Sequence, residues 1–156
     1  MGVTGAGKTT VGSLLAMQMG WEFADADTFH PAANVDKMSR GIPLTDADRI
    51  PWLAAMRSAI ERWISEERSV VLACSALKRS YRQALLISPE VRLVYLRGSY
   101  ESIAHQLRLR HGHFATEAIL ADQFATLEEP EDAIVIDTGR DPAAMVAEIR
   151  SQLGVS

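Results

Sequence analysis

The sequence predicts an α/β fold: one parallel sheet covered by helices on both faces. Three observations lead there. Short apolar runs alternate along the chain with longer segments of helical periodicity. One of those runs, Val70 to Ala73, is apolar at every position, as a strand buried on both faces requires. Gly2, Gly7, Lys8 and Thr9 fit the phosphate-loop pattern Gly-x-x-x-x-Gly-Lys-Ser/Thr, which joins a strand to a helix in such folds.

The elements follow in order. Thr10 to Met19 places Val11, Leu14, Leu15 and Met19 on one helical face. Trp21 to Ala24 is a short strand leading into Asp25-Ala26-Asp27, at the end that faces the ligand crevice in open α/β sheets. Pro31 can open a short helix at its first position, running to about Arg40 and ended by Gly41 and Pro43. Thr45 with Asp48 resembles a capping box for a long helix to about Glu66. Its stripe of Trp52, Leu53, Met56, Ile60, Trp63 and Ile64 is read as core. Val70 to Ala73 is a strand, Leu77 to Leu86 helical, Val91 to Leu96 a strand and Ser99 to Arg110 helical. Leu120, Phe124 and Leu127 mark a further helix, Ala133 to Ile136 a last strand and Pro142 to Leu153 a last helix. With 156 residues and no linker or repeat, residues 1–156 are read as a single domain.

Bulk properties narrow the function. A net charge of -4 argues against nucleic acid as the main partner, so an anionic ligand needs a local basic cluster. No apolar run is long enough to span a bilayer, so no membrane partner is expected. The phosphate loop begins at the first residues, which leaves no signal peptide, and Cys74 is the only cysteine; both fit a reducing cytoplasm.

The loop predicts nucleotide binding. Its glycines let the backbone turn its N–H groups onto an anion, Lys8 can reach the β- and γ-phosphates, and the Thr9 hydroxyl can ligate Mg²⁺. The Val70–Ala73 strand ends in Cys74-Ser75, without the acid that often helps hold the metal there. The acids sit after the preceding strand, at Asp25 and Asp27. A spacing of two puts both on one side if the strand stays extended. Basic residues fall at Lys37 with Arg40, at Arg49, at Lys78 with Arg79 and Arg82, and at Arg108 with Arg110. Arginine suits bidentate capture of a carboxylate or phosphate. His30, before a proline, serves either a substrate or a local backbone group. Cys74 is read as a small buried hydrophobe.

The motifs Asp25-Ala26-Asp27-x-x-His30-Pro31, Asn34, Lys37-Met38 and Gly41-x-Pro43-Leu44-x-Asp46-x-Asp48-Arg49-x-Pro51-Trp52-Leu53 strongly resemble the gluconokinase family. So do Cys74-Ser75-Ala76-Leu77-Lys78-x-x-Tyr81-Arg82, Gly112-His113-Phe114 and Gln123-Phe124-x-x-Leu127-Glu128-x-Pro130. The resemblance covers nearly the whole chain. It implies the three-layer phosphate-loop kinase fold of shikimate kinase, with a five-stranded parallel sheet ordered 2-3-1-4-5. It also implies ATP-dependent phosphorylation of D-gluconate at its 6-hydroxyl, and a homodimer.

Carried over by position, Gly5, Ala6, Gly7, Lys8, Thr9 and Thr10 would cradle ATP and Mg²⁺. Asp25 would act through the metal's water shell. Asp27 would hold the acceptor hydroxyl, with His30, Lys37, Arg49 and Lys78 lining the gluconate side. Arg110, with Arg108 as the second candidate, would enter from a lid at about 108–120, and Arg140 would lie near adenine. Lys8, Asp27 and Arg110 are the catalytic candidates. The enzyme alternative is another kinase of this fold, such as shikimate kinase, whose Gly-rich run after the third strand is replaced here by Cys74 to Lys78. A guanine-reading switch lacks its Asn-Lys-x-Asp motif.

In this fold the first strand leads into the phosphate loop, yet only Met1 to Thr4 precede Gly5. Strand 1 is therefore expected to be truncated. The expectation follows that Met1 is internal in the natural protein, with an apolar, β-branched segment before it, or that another segment or a partner chain fills the gap; a third functional reading is a weakly active fragment.

Overall fold

The computed structural model describes residues 1–111 and 114–155, and side chains at 1–109 and 117–155. Helix α1 spans Lys8–Met19, strand β1 Glu22–Asp25, helix α2 Ala32–Ser39 and helix α3 Asp46–Ser65. Strand β2 (Val70–Ala73), helix α4 (Arg79–Leu85) and strand β3 (Val94–Arg97) follow. The chain closes with α5 (Tyr100–His111), α6 (Phe114–Thr126), β4 (Ile134–Asp137) and α7 (Pro142–Leu153). One 3-10 turn, Ala26–Phe29, interrupts the run between β1 and α2.

The four strands pair in parallel as two separate ribbons. β1 lies beside β2 with Glu22 opposite Val70, and β3 beside β4 with Val94 opposite Ile134. Residues 1–2 bridge the two. The Met1 amino group donates to the Val94 carbonyl at 2.5 Å, and Leu96 N–H donates to the Met1 carbonyl at 2.9 Å. On the other side, Gly2 N–H donates to the Ser75 carbonyl at 3.3 Å. Met1 and Gly2 thus stand in a central position between β2 and β3 but are too short to register as a strand. A cavity of about 380 Å³ lies between the two ribbons, lined by Met1, Val71, Leu72, Val91 and Val94.

The core is divided in the same way. Val11, Leu15, Ile103, Leu120, Ile136 and Val146 form one buried cluster beneath α1 and α7. Trp52, Met56, Ile60, Trp63 and Leu85 form the other, on the α3 and α4 side of β2. Val71 packs against the first cluster, and Val70 and Leu72 against the second, as strand alternation demands. The α3 stripe is core, with Met56 at 0% exposure and Leu53 and Ile64 half-buried at its margin. Thr45 and Asp48 form the capping box.

Three local readings are corrected. Pro31 caps α2 from outside instead of opening it, and the helix starts at Ala32. α1 begins at Lys8, because Gly7 at φ 97° already turns the chain into the helix. The strand does not stay extended through Asp27: it ends at Asp25, whose Oδ1 accepts the Asp27 N–H at 2.9 Å and so starts the 3-10 turn. An aspartate two residues before a free N–H offers the backbone this local alternative to the ladder.

Candidate active site

The phosphate loop is held from three sides. Gly5 has φ 79°, and a Cβ there would fall 2.8 Å from Leu107 Cγ, so only glycine lets α5 pack this closely. Thr4 N–H donates to Gln123 Oε1 of α6 at 2.6 Å. Lys8 Nζ donates to the Val3 carbonyl at 3.0 Å, closing the loop on itself. Burial pushes the Lys8 ammonium below its ordinary value, while the Cys74 thiol, Asp27 and Asp25 oppose that fall. Lys8 and the two aspartates therefore share one electrostatic neighbourhood. Thr9 and Thr10 are exposed on the first turn of α1.

The metal candidates are hard oxygen donors, Thr9 Oγ1 and an Asp25 carboxylate whose Oδ1 is occupied by the Asp27 N–H. No group of three or more His, Cys, Asp or Glu fit to hold a metal occurs among the described residues. A donor set of one hydroxyl and one carboxylate fits Mg²⁺, which is bound through one or two carboxylates plus phosphate and water.

The substrate-side candidates gather around the N-terminus of α3. Lys37 Nζ donates to Asp48 Oδ2 at 2.8 Å. That bond first, then the Thr45 N–H, holds the Asp48 carboxyl down to about 2. Lys78 Nζ donates to both oxygens of Asp46, at 3.0 and 3.2 Å, and Tyr81 Oη donates to Oδ1 at 2.6 Å. Arg49 donates to the Leu44 carbonyl at 3.1 Å, stands 3.9 Å from Asp46 Oδ1, and lies over the Tyr81 ring with Lys78 beside it. His30 stacks on Trp52 with centroids 4.5 Å apart. Burial lowers its proton affinity, Asp27 opposes that and Arg49 adds to it. His30, Lys37, Arg49 and Lys78 are thus assembled at one helix start, each beside an acid or an aromatic ring.

Other candidates lie elsewhere. Arg108 pairs with Glu117 of α6. Arg140 donates to the Asp137 carbonyl at 3.0 Å and to Glu148 Oε2 at 2.6 Å, on the loop after β4. The Arg110 side chain and Gly112-His113-Phe114 lie outside what is described, Phe114 as a side chain only. Arg82 is corrected from a crevice cation to a core residue. At 6% exposure it donates to the carbonyls of Ala76, Leu77 and Glu128 at 2.8, 3.0 and 2.7 Å. Cys74 is buried, which pushes its thiol up. Asn34, Tyr81 and Gln123 have no role assigned from sequence, and Asp46 only that of a possible partner for Arg49. Each lay within a motif, but only folding reveals what its polar group meets.

The sequence profile of the shikimate kinase family matches residues 4–153. A probable gluconokinase of Xenopus tropicalis is 42% identical over 98% of this chain and 90% of its own length. The gluconokinase of Gluconobacter oxydans is 47% identical over 85% of this chain and 75% of its own. The crystal structure of a gluconokinase from Sinorhizobium meliloti covers 99% of this chain and 89% of that one, with a TM-score of 0.86 at 41% identity. Shikimate kinase from Acinetobacter baumannii shares the fold, with a TM-score of 0.57 at 20% identity.

Proposed function

The chain belongs to the gluconokinase family, and from that premise we propose that it transfers the terminal phosphoryl group of ATP to the 6-hydroxyl of D-gluconate. The observation that carries this reading is the link between the two halves of the site. Asp27 stands in the turn that joins β1 to His30, its N–H bonded to Asp25 Oδ1, and His30 stacks on Trp52 at the cation cluster. An acceptor hydroxyl beside Asp27 would lie where the two halves meet.

The roles follow from chemistry. The N–H groups of Gly5 to Thr10 bind phosphate oxygens at the positive end of α1. Lys8 neutralises charge on the transferring group, which matters because a loose transition state leaves the protein mainly positioning and electrostatics to supply. Asp27 accepts the hydrogen bond of the acceptor hydroxyl and takes its proton. Lys37, Arg49 and Lys78 meet the carboxylate and hydroxyls of the sugar acid, exchanging part of their pairing with Asp46 and Asp48 for the ligand. Thr9 and Asp25 would hold Mg²⁺, which when bound supplies further neutralisation of phosphate charge. By the family resemblance Arg110 and Arg108 would serve from the lid, and Arg140 from the adenine side.

The full sheet order 2-3-1-4-5 belongs to the same reading, supported by the bonds of Met1 and Gly2 to both ribbons. So do a cytoplasmic setting, consistent with no described helix being long and apolar enough to cross a membrane, and a homodimer, which light scattering checks.

The deciding experiment is ADP release with gluconate, a panel of other sugar acids and shikimate, with Lys8→Ala beside the wild type. Turnover with gluconate, reduced at least about 100-fold in a folded Lys8→Ala protein, is expected. Preference for shikimate or another acid, or near-normal kcat in the variant, overturns the reading.

A further inference from the structure

We propose that Asn34 is a positioning residue that fixes His30 as a neutral imidazole with its proton on Nε2, so that His30 meets the substrate as a hydrogen-bond donor. The last clause rests on the substrate-side reading of His30 given above.

The argument starts from a backbone carbonyl. Asn34 lies in α2 at 3% exposure. Its Nδ2 stands 2.8 Å from the Asp48 carbonyl and 3.1 Å from His30 Nδ1. A carbonyl oxygen can only accept, so the amide must turn its NH₂ group toward Asp48; the reversed amide would set two oxygens against each other. The second N–H of that same group is then the one that faces His30. It can be met only by a lone pair, so Nδ1 carries no proton. A neutral imidazole with a bare Nδ1 bears its proton on Nε2.

The plane of the ring is held as well. It lies flat on Trp52, with planes 9° apart, and the Trp52 indole N–H is anchored on the Ala26 carbonyl at 2.8 Å. Ala26 opens the 3-10 turn that carries Asp27. One connected set of contacts therefore sets the His30 tautomer and supports the turn bearing the proposed base.

Protonating Nδ1 would direct an N–H at the Asn34 N–H, so the imidazolium loses its partner. The charged groups that act on the ring are Asp27 from the turn and Arg49 from α3, while Lys37 of α2 and Asp48 of α3 pair with each other. Asp27 favours the imidazolium, while burial and Arg49 disfavour it, leaving His30 below the ordinary histidine value. A donor at His30 and an acceptor at Asp27 match the two halves of a sugar hydroxyl, which accepts with its lone pairs and donates its proton. His30 is thereby excluded as the base.

The test is long-range ¹⁵N–¹H correlation spectroscopy of the full chain without substrate, across pH. The chain has four histidines, and a His30→Gln spectrum assigns the signal. An unprotonated Nδ1, a protonated Nε2 and a titration midpoint below about 6.5 are expected. A proton on Nδ1, or a midpoint at or above that value, overturns the proposal without touching the kinase reading. Asn34→Asp, which keeps the shape but replaces the donor by an acceptor, is expected to move the midpoint up. Above that midpoint the variant's neutral ring carries its proton on Nδ1 and leaves Nε2 bare, so KM for gluconate should rise about tenfold there while ATP KM stays within about twofold, the scale of one hydrogen bond to the substrate. If the wild-type tautomer is as stated but Asn34→Asp above its midpoint and His30→Phe both leave gluconate KM unchanged, the donor role and the substrate-side reading of His30 both fall.

Discussion

Arg49 and Lys78 converge on one carboxylate, that of Asp46, from different elements: Arg49 at 3.9 Å from within α3 and Lys78 at 3.0 Å from the loop before α4. The Tyr81 hydroxyl completes the set, and its hydrogen bond first, then that of Lys78, holds the Asp46 carboxyl below the usual carboxylate range. A ring of donors that stabilises one carboxylate is the chemistry a sugar acid requires.

Arg49→Lys is expected to raise KM for gluconate several-fold more than KM for ATP. Lysine keeps the charge but loses the planar fork that takes two oxygens at once. Steady-state kinetics with each substrate varied in turn checks this. An unchanged gluconate KM would restrict Arg49 to its bonds with Leu44 and Asp46.

Asp27→Asn is expected to lower kcat by about 100-fold or more, the range for loss of a general base, with ATP affinity nearly unchanged. Asparagine preserves size but neither accepts the proton nor bears the charge. Single-turnover rates beside ATP titration measure the two separately. If ATP binding collapses while kcat at saturation survives, Asp27 serves the nucleotide instead.

Arg82→Met is expected to destabilise the fold by about 2–4 kcal/mol, because two buried carbonyls and one partly buried one lose a charged donor at once. Below its melting range, KM values should stay within about twofold of wild type. Thermal melting with kinetics decides it, and a specific rise in gluconate KM would return Arg82 to the site.

The amino group of Met1 gives a pH prediction. Burial, with smaller contributions from Lys8 and Arg82, lowers it from 8.0 to about 5, with the Cys74 thiol opposing. Between those values the unfolded chain holds a proton that the folded chain lacks. Stability therefore falls as pH drops from 8 to 5 and levels off below, by on the order of 4 kcal/mol in all. A chain extended upstream by several apolar, β-branched residues has a peptide nitrogen there and should lose this component. Parallel pH profiles of the two forms would sink this account.

The sequence by itself determined the alternation of strands and helices, the phosphate loop and the family. Those rest on local periodicity, on turns that only glycine makes, and on motifs that keep their spacing. It also named His30, Lys37, Arg49 and Lys78 as candidates, while their gathering at the start of α3 was decided by folding. Partnership was decided only in three dimensions. Arg82 and Arg49 are the same residue type in adjoining motifs, yet one is buried on three carbonyls and the other stands beside an exposed Asp46. The 3-10 turn after Asp25 also escaped the pattern, because a carboxylate capping its own backbone leaves no periodic trace. The tautomer of His30 depends on a carbonyl eighteen residues away at Asp48, brought near by the packing of α2 on α3. Periodicity reports which face of an element is buried, whereas hydrogen bonding depends on which atoms that burial brings within about 3 Å.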